Sequence, residues 1–258
     1  MTFCLGRLPH DPAAVARAPS LARHRLAAMS FPVTLNRSAI DVQLVLAGNA
    51  DLPTCTAAGL ANAARMVAAI NGYELEIDDS RVEAFYASCA GVDPTQAAMS
   101  ATGGVVALDV LVRQATDGAD LGGQTPLVGN FGTLPLGKLS IASAMSKMGH
   151  AYVGVTLLER DMETASPSSV LDVVDGRDDG AVVGGHLLCP FDYVALADTS
   201  QLRSATWAYW QSMTWRWLMA RLDEAYALYF RQLVGASGAD LGVDPDVLAA
   251  DLAAMVAA

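Results

Sequence analysis

The arrangement of apolar and polar positions divides this chain into a helix-rich first half and a strand-rich second half. From Cys55 to Ile70 nearly every residue is a good helix former. Leu60, Met66, Val67 and Ile70 are its bulky positions among many alanines, and Asn71-Gly72 supplies a C-terminal stop. That pattern predicts a helix packed on several sides. A second helix is expected over Arg81 to Ala90, capped by Asp79 or Ser80 and broken by Gly91-Val92-Asp93-Pro94. A third follows Gly103-Gly104 over Val105 to Gln114, and a short one covers Ser140 to Met148. Strand patterns fall at Val42 to Leu46, Ala151 to Leu158, Val170 to Val174 within an acidic loop, Val182 to Cys189, and Leu202 to Thr206, with a turn at Pro190-Phe191-Asp192. The four tryptophans (Trp207, Trp210, Trp215, Trp217) fall on a turn and helix leading to Arg221, where they read as the aromatic filling of a sheet lobe. The fold class this implies is α+β, a helical lobe facing an antiparallel sheet lobe. Residues 1–32 read as an irregular basic N-terminal arm with one helical stretch, Ser20 to Met29. Residues 33–234 form the main domain. Residues 235–258 are a linker and an acidic C-terminal helix with Asp244 as N-cap and Pro245 at its first position.

Composition narrows the function classes. A chain of 258 residues buries roughly 70–75% of its unfolded surface, enough for a sizeable core without disulfide staples. Mean hydropathy is +0.32, but no apolar run reaches the roughly 18–20 residues of a spanning helix. The longest are broken by Arg65, Asp109 and Arg113, so no membrane insertion is expected. The net charge of −11 argues against nucleic acid as a partner, since phosphate binding needs clustered Lys and Arg. Charge is nevertheless uneven: residues 1–40 hold five arginines and one aspartate. Such an arm either docks on an acidic partner or is simply solvated. No secretory signal pattern is visible, and the four cysteines (Cys4, Cys55, Cys89, Cys189) are too scattered for a metal or disulfide framework, so free thiols are expected.

Two candidate chemistries stand out. Gly132 to Lys138 imitates the start of a phosphate-binding loop, but Leu139 replaces the hydroxyl that would hold Mg²⁺ and Pro135 interrupts the loop. The stronger candidate is Cys55, which follows a tight turn and opens a helix, where unpaired backbone N–H groups and the helix dipole favour a thiolate. A nucleophilic thiol needs a base. His150 and His186 both follow a glycine, the first leading into a strand and the second lying within one. Against this stands the plain alternative that Cys55 is a small core residue.

Asn49 and Cys55-Thr56-Ala57-Ala58-Gly59 resemble the "GND…GDCT-A-A" opening of papain-like cysteine peptidases, especially divergent phage and prophage forms. The resemblance continues in order. Tyr86 to Asp93 is similar to "Y…TGYD", Gly104 to Leu111 to "G…LDVL", and Ile141 to Leu157 to "AI…G-VYVGV-L". Gly184-Gly185-His186 with Phe191-Asp192-Tyr193 resembles "GGHAV…VGYD", and Ala205 to Ala208 resembles "NSWG" or "TWG". It covers about residues 40–232. What it implies is a two-lobe fold, with Cys55 as nucleophile, His186 as base and Asn49 as oxyanion donor beside the Cys55 backbone N–H. His186 is favoured over His150 because it lies 131 residues after Cys55 and precedes the Trp207 strand, the order the resemblance implies.

Three departures qualify that implication. The position that usually orients the histidine falls on Ala205, leaving Thr206 as the nearest polar substitute, with Trp207 beside it as a shield. Pro53 and Thr54 replace "GD", and Asp192 and Ala208 each replace a glycine. The expected activity is cleavage of a peptide or isopeptide bond in a peptide or protein substrate, with no metal and no cofactor. The rival expectation is a catalytically impaired virion or tail component, docking on other virion proteins through its N-terminal arm and C-terminal helix.

Overall fold

The computed structural model describes residues 4–20, 31–123, 125–230, 232–233 and 250. In chain order the elements are β1 (Arg7–Leu8), α1 (Pro12–Arg17), α2 (Cys55–Ile70), α3 (Asp79–Ala90), α4 (Gln96–Ala101), β2 (Val105–Val106), α5 (Ala107–Thr116), β3 (Asn130–Thr133) and α6 (Lys138–Met148). There follow β4 (Tyr152–Leu158), α7 (Glu159–Thr164), β5 (Val170–Leu171), β6 (Val182–Tyr193), β7 (Gln201–Thr206), β8 (Tyr209–Thr214), α8 (Trp215–Arg221) and β9 (Leu222–Tyr229). The architecture is α+β as expected. Its sheet runs β3-β9-β4-β6-β7-β8-β5, antiparallel except for the β5–β8 pair, with β1 joined to both β6 and β2.

The central strands divide two cores by the period-2 alternation of their side chains. Tyr152, Leu187, Cys189, Tyr226 and Leu228 face the helical lobe of α2, α3 and α5. Their neighbours Val153, Leu188, Ala225 and Ala227 face the other way, onto α6, Trp207, Trp215 and Trp217. Trp215 and Trp217 are fully buried, and their ring N–H groups donate to the Ala195 carbonyl and to Asp161 at 2.8 and 2.7 Å. They are core residues, as the sequence suggested.

Several expectations need correction. Val42 to Leu46 forms no strand, because the Asn62 amide takes both backbone groups of Val45, accepting from its N–H at 2.7 Å and donating to its carbonyl at 3.1 Å. A side chain thus replaces the neighbouring strand. Pro190-Phe191-Asp192 is no turn either; β6 continues to Tyr193 through a bulge between Pro190 and Asp192, which suits a residue lacking an N–H. The tryptophan region contains strand β8 before its helix, and the apolar run that follows is strand β9. Val105 and Val106 pair with β1, so that helix begins at Ala107. Helix α1 lies in the arm read as irregular, α7 in the acidic loop, and α4 in a stretch given no element. The expected helical stretch over Ser20 to Met29 and the C-terminal helix lie outside the described residues, apart from Ser20 and Ala250.

Helix α2 lies against β6 because Gly59 presents no side chain there. A Cβ at Gly59 would overlap the Leu187 side chain, and the Gly59 carbonyl accepts from the Cys189 thiol at 3.2 Å. Gly59 is one helical turn from Cys55, so the same face carries both. Gly59→Ala is expected to destabilise the protein by about 1–3 kcal/mol, the usual range for overpacking. Chemical denaturation measures it, and an unchanged midpoint would mean that the lobes approach each other elsewhere.

Candidate active site

The turn before α2 is wound tightly. Ala47 and Gly48 have positive φ (45° and 71°), and the Leu52 N–H donates to the Gly48 carbonyl at 2.8 Å. Thr54 occupies the N-cap position, yet its hydroxyl donates to the Ala47 carbonyl at 2.7 Å instead of capping. The first N–H groups of α2, that of Cys55 included, therefore have no side-chain cap. Asn49 sits in this turn, 4% exposed, with its Oδ1 buried and unpartnered.

Cys55 is 1% exposed. Burial pushes its thiol up to about 12, while backbone hydrogen bonds from Leu187 and Gly6 and the charge of Arg7 pull the other way. Leu187 follows His186 on β6, so the thiol meets the strand beside the histidine. His186 is fully buried and pairs in register with Val155 of β4. Its Nε2 lies 2.6 Å from Thr206 Oγ1, and its ring stacks on Trp207 at 4.1 Å and 17°. Its Nδ1 is buried without a hydrogen-bond partner. Burial, with a smaller contribution from the Arg7 charge, lowers the imidazole to about 3. Thr206 and Trp207, both singled out from the sequence, thus sit on the histidine, whereas Ala205 pairs with Cys189 and Trp210 and is buried in the core of the helical lobe.

Trp207 and Ala208 form the two-residue loop between β7 and β8, both with positive φ (43° and 62°), the turn whose twist matches a hairpin. His150 belongs elsewhere. Its Nδ1 bonds the Met148 carbonyl at 3.1 Å. The preceding Gly149 abuts Ile70, at the opposite end of α2 from Cys55. At 1.5 Å per residue that is about 20 Å along the helix. Lys138, the end of the phosphate-loop imitation, opens α6 and pairs with Asp198 at 2.5 Å.

One feature escaped the sequence reading: the groove between the lobes is filled by the chain's own first described residues. The Cys4 N–H donates to the Ala50 carbonyl at 3.1 Å, and the Gly6 carbonyl accepts from Val105 at 2.9 Å. Arg7 pairs with Val105 on one side and Gly185 on the other. A Cβ on Gly6 would collide with the Pro53 backbone, and one on Gly104 with the Gly6 carbonyl, so three chains meet here at glycine spacing. The Arg7 guanidinium is buried, with Nη1 donating to Glu224 at 2.7 Å and Nη2 to Asp223 at 2.5 Å and to the Val155 carbonyl at 3.2 Å. The signal in the sequence was Asp223-Glu224, an acidic pair set into an apolar strand, matched by a lone arginine in Leu5-Gly6-Arg7-Leu8. His10, Asp223 and Glu224 hold potential metal-ligand atoms within 4.8 Å of one another, but Arg7 already engages both carboxylates.

A helix carrying a thiol at its start, laid against a sheet that carries a histidine beside a tryptophan hairpin, is the papain-like α+β arrangement, and this chain has that fold. Among solved structures that share it are xylellain, a cysteine protease from Xylella fastidiosa (TM-score 0.66, 11% identity, 89% of this chain and 97% of that one), and a procathepsin B from Trypanosoma congolense (0.60, 11%, 88% and 87%). The ragweed pollen cysteine protease Amb a 11 in its proform also matches (0.60, 11%, 89% and 76%). No family model matches the sequence, and the search of curated proteins gives no match. Among the described residues, no helix is long and apolar enough to cross a membrane.

Burial lowers both His150 and His186 to about 3, against an ordinary value of 6.5. The unfolded chain therefore takes up protons that the folded one refuses. The stability from keeping these rings neutral is complete above pH 6.5 and is lost as pH falls toward 3. Between pH 7 and 5.5 the unfolding free energy is expected to drop by roughly 1–1.5 kcal/mol per histidine. Urea titrations at pH 7, 6.25 and 5.5 check this; a flat profile would mean that the rings are hydrated in solution.

Proposed function

We propose that this chain is a papain-like thiol hydrolase acting on a peptide or isopeptide bond, held latent by its own residues 4–8. The observation that carries the reading is the setting of His186. Its Nε2 is engaged by Thr206 while its Nδ1 is free, on the strand whose next residue bonds the Cys55 thiol. With Nε2–H donating to the threonine, the neutral ring keeps its Nδ1 lone pair for the thiol proton. Cys55 then attacks the substrate carbonyl. His186 returns the proton to the leaving group, and water hydrolyses the acyl-enzyme. The Cys55 N–H, uncapped at the start of α2, and the Asn49 amide would stabilise the oxyanion.

In the closed state, burial keeps both thiol and imidazole neutral. Withdrawal of residues 4–8 would readmit water and remove the cause of both shifts, which favours the thiolate–imidazolium pair. This division of the chain keeps the basic arm and the main domain as separate units, with the arm's first described residues acting on the domain itself. The rival reading as a virion assembly module rested on Ala205 and on a basic arm and an acidic C-terminal helix as docking elements. It is the weaker reading, because Thr206 engages the histidine and Arg7 is bound within the chain's own groove.

The test is alkylation by iodoacetamide at pH 6, resolved for each cysteine by mass spectrometry. In the unaltered chain Cys55 is expected to react no faster than Cys89. Gly6→Val, whose side chain cannot seat beside Pro53, should accelerate Cys55 at least tenfold, and adding His186→Ala should abolish the gain. Turnover of a peptide library by Gly6→Val, lost in Gly6→Val with Cys55→Ala, completes the case. If exposed Cys55 reacts like an ordinary thiol whether or not His186 is present, the catalytic pair does not exist.

A further inference from the structure

The Arg7 site is a pocket in its own right. Its two carboxylates belong to β9 and not to the segment that fills it. Tyr226 donates to Glu224 Oε2 at 2.8 Å and Thr156 to Asp223 Oδ2 at 2.7 Å, so both acids are fixed by neighbours that stay when the segment leaves. Gly154 gives the arginine stem room, since a Cβ there would meet both Glu224 and Arg7 Cδ. The Glu224 side chain is 1% exposed and that of Arg7 3%.

Removing Arg7 from this pocket strands a buried carboxylate, a strongly destabilising state until another cation enters. The segment also approaches Cys55 at Gly6, the residue immediately before Arg7. Whatever displaces it must run past the thiol and place a cation one residue further along. Geometry distinguishes the two basic side chains. Arg7 uses both terminal nitrogens at once, one on Glu224 and the other on Asp223 and the Val155 carbonyl. A planar fork satisfies all three acceptors, whereas a single ammonium on a shorter reach cannot.

We propose that Asp223 and Glu224 form a specificity pocket for an arginine side chain of the bound peptide, which Arg7 occupies in cis until such a peptide replaces it. This rests on the groove being the substrate site, as in the hydrolase reading, but it concerns binding and requires no turnover.

The test uses the full chain with Arg7→Ala and three blocked tetrapeptides that copy residues 5–8, with arginine, lysine or citrulline at the third position, titrated by calorimetry. The arginine peptide is expected to bind at least tenfold more tightly than either of the others, and Asp223→Asn with Glu224→Gln in the same background should remove the difference. The unaltered chain, its pocket filled, should bind all three more weakly. If Arg7→Ala does not fold, Arg7→Lys keeps the carboxylates compensated and the same peptides are titrated against it. Equal binding of arginine and citrulline peptides, a preference that survives the loss of both acids, or no binding to a folded variant overturns the pocket. Selective binding by a protein that never turns over would overturn the hydrolase reading and leave the pocket standing.

Discussion

The contact on which the arrangement depends is the close approach of α2 to β6. A helix and a strand approach this closely only where the helix has no side chain at the crossing, and Gly59 supplies that gap opposite Leu187. One turn toward the N-terminus, the same face presents Cys55 to the backbone of Leu187. On the strand, His186 precedes Leu187, and Thr206 and Trp207, from the end of β7 and its hairpin, meet the ring. Thr206, Trp207 and the positive-φ turn are thus consequences of strand geometry as much as of local sequence.

The second constraint is electrostatic. A buried glutamate and a half-buried aspartate on β9 are tolerable because a guanidinium sits between them. That ion cluster links the first few residues of the chain to its last described strand across more than two hundred positions. It holds Gly6 against Pro53 and keeps water from the thiol. The raised thiol and the depressed imidazole have this burial as their leading cause. In the proposed hydrolase, this burial would act both as a steric block and as a suppression of the ionised pair, so removing it would change access and reactivity together.

What could be read from the sequence follows from the range of the interactions. Helix α2 was legible to its end residues, because helix propensity and the Asn71-Gly72 stop are local. Strand β4 and the core role of Trp215 and Trp217 were visible as alternation and aromatic density. The misreadings involve a distant partner. Val42 to Leu46 looks like a strand, but its partner is an amide seventeen residues on. The Pro190 segment looks like a turn, but a bulge carries the strand through it. Candidate residues Cys55, His186, Thr206 and Trp207 came from motif order; Thr206 and Trp207 meet the His186 ring, and Cys55 meets the backbone of the next residue on β6. The arm against Cys55 did not come through, because a lone arginine and an acidic pair in an apolar strand are each odd where they stand but say nothing of pairing across two hundred residues.

The two residues at the end of β7 differ in what they can reach. Ala205 and Thr206 are neighbours on a strand, so their side chains point to opposite faces, and only one of them can meet His186. The structure gives that place to Thr206, the last residue before the hairpin turn. A polar group thus meets the ring although the aligned position is alanine. It stands one residue later, on a side chain whose branched Cβ restricts its rotation. A hydroxyl there accepts from Nε2–H in both the neutral and the protonated ring, so the same contact holds the histidine before and after it takes a proton. With Trp207 stacked on the ring, a short side chain at the end of a strand bonds the imidazole without an amide.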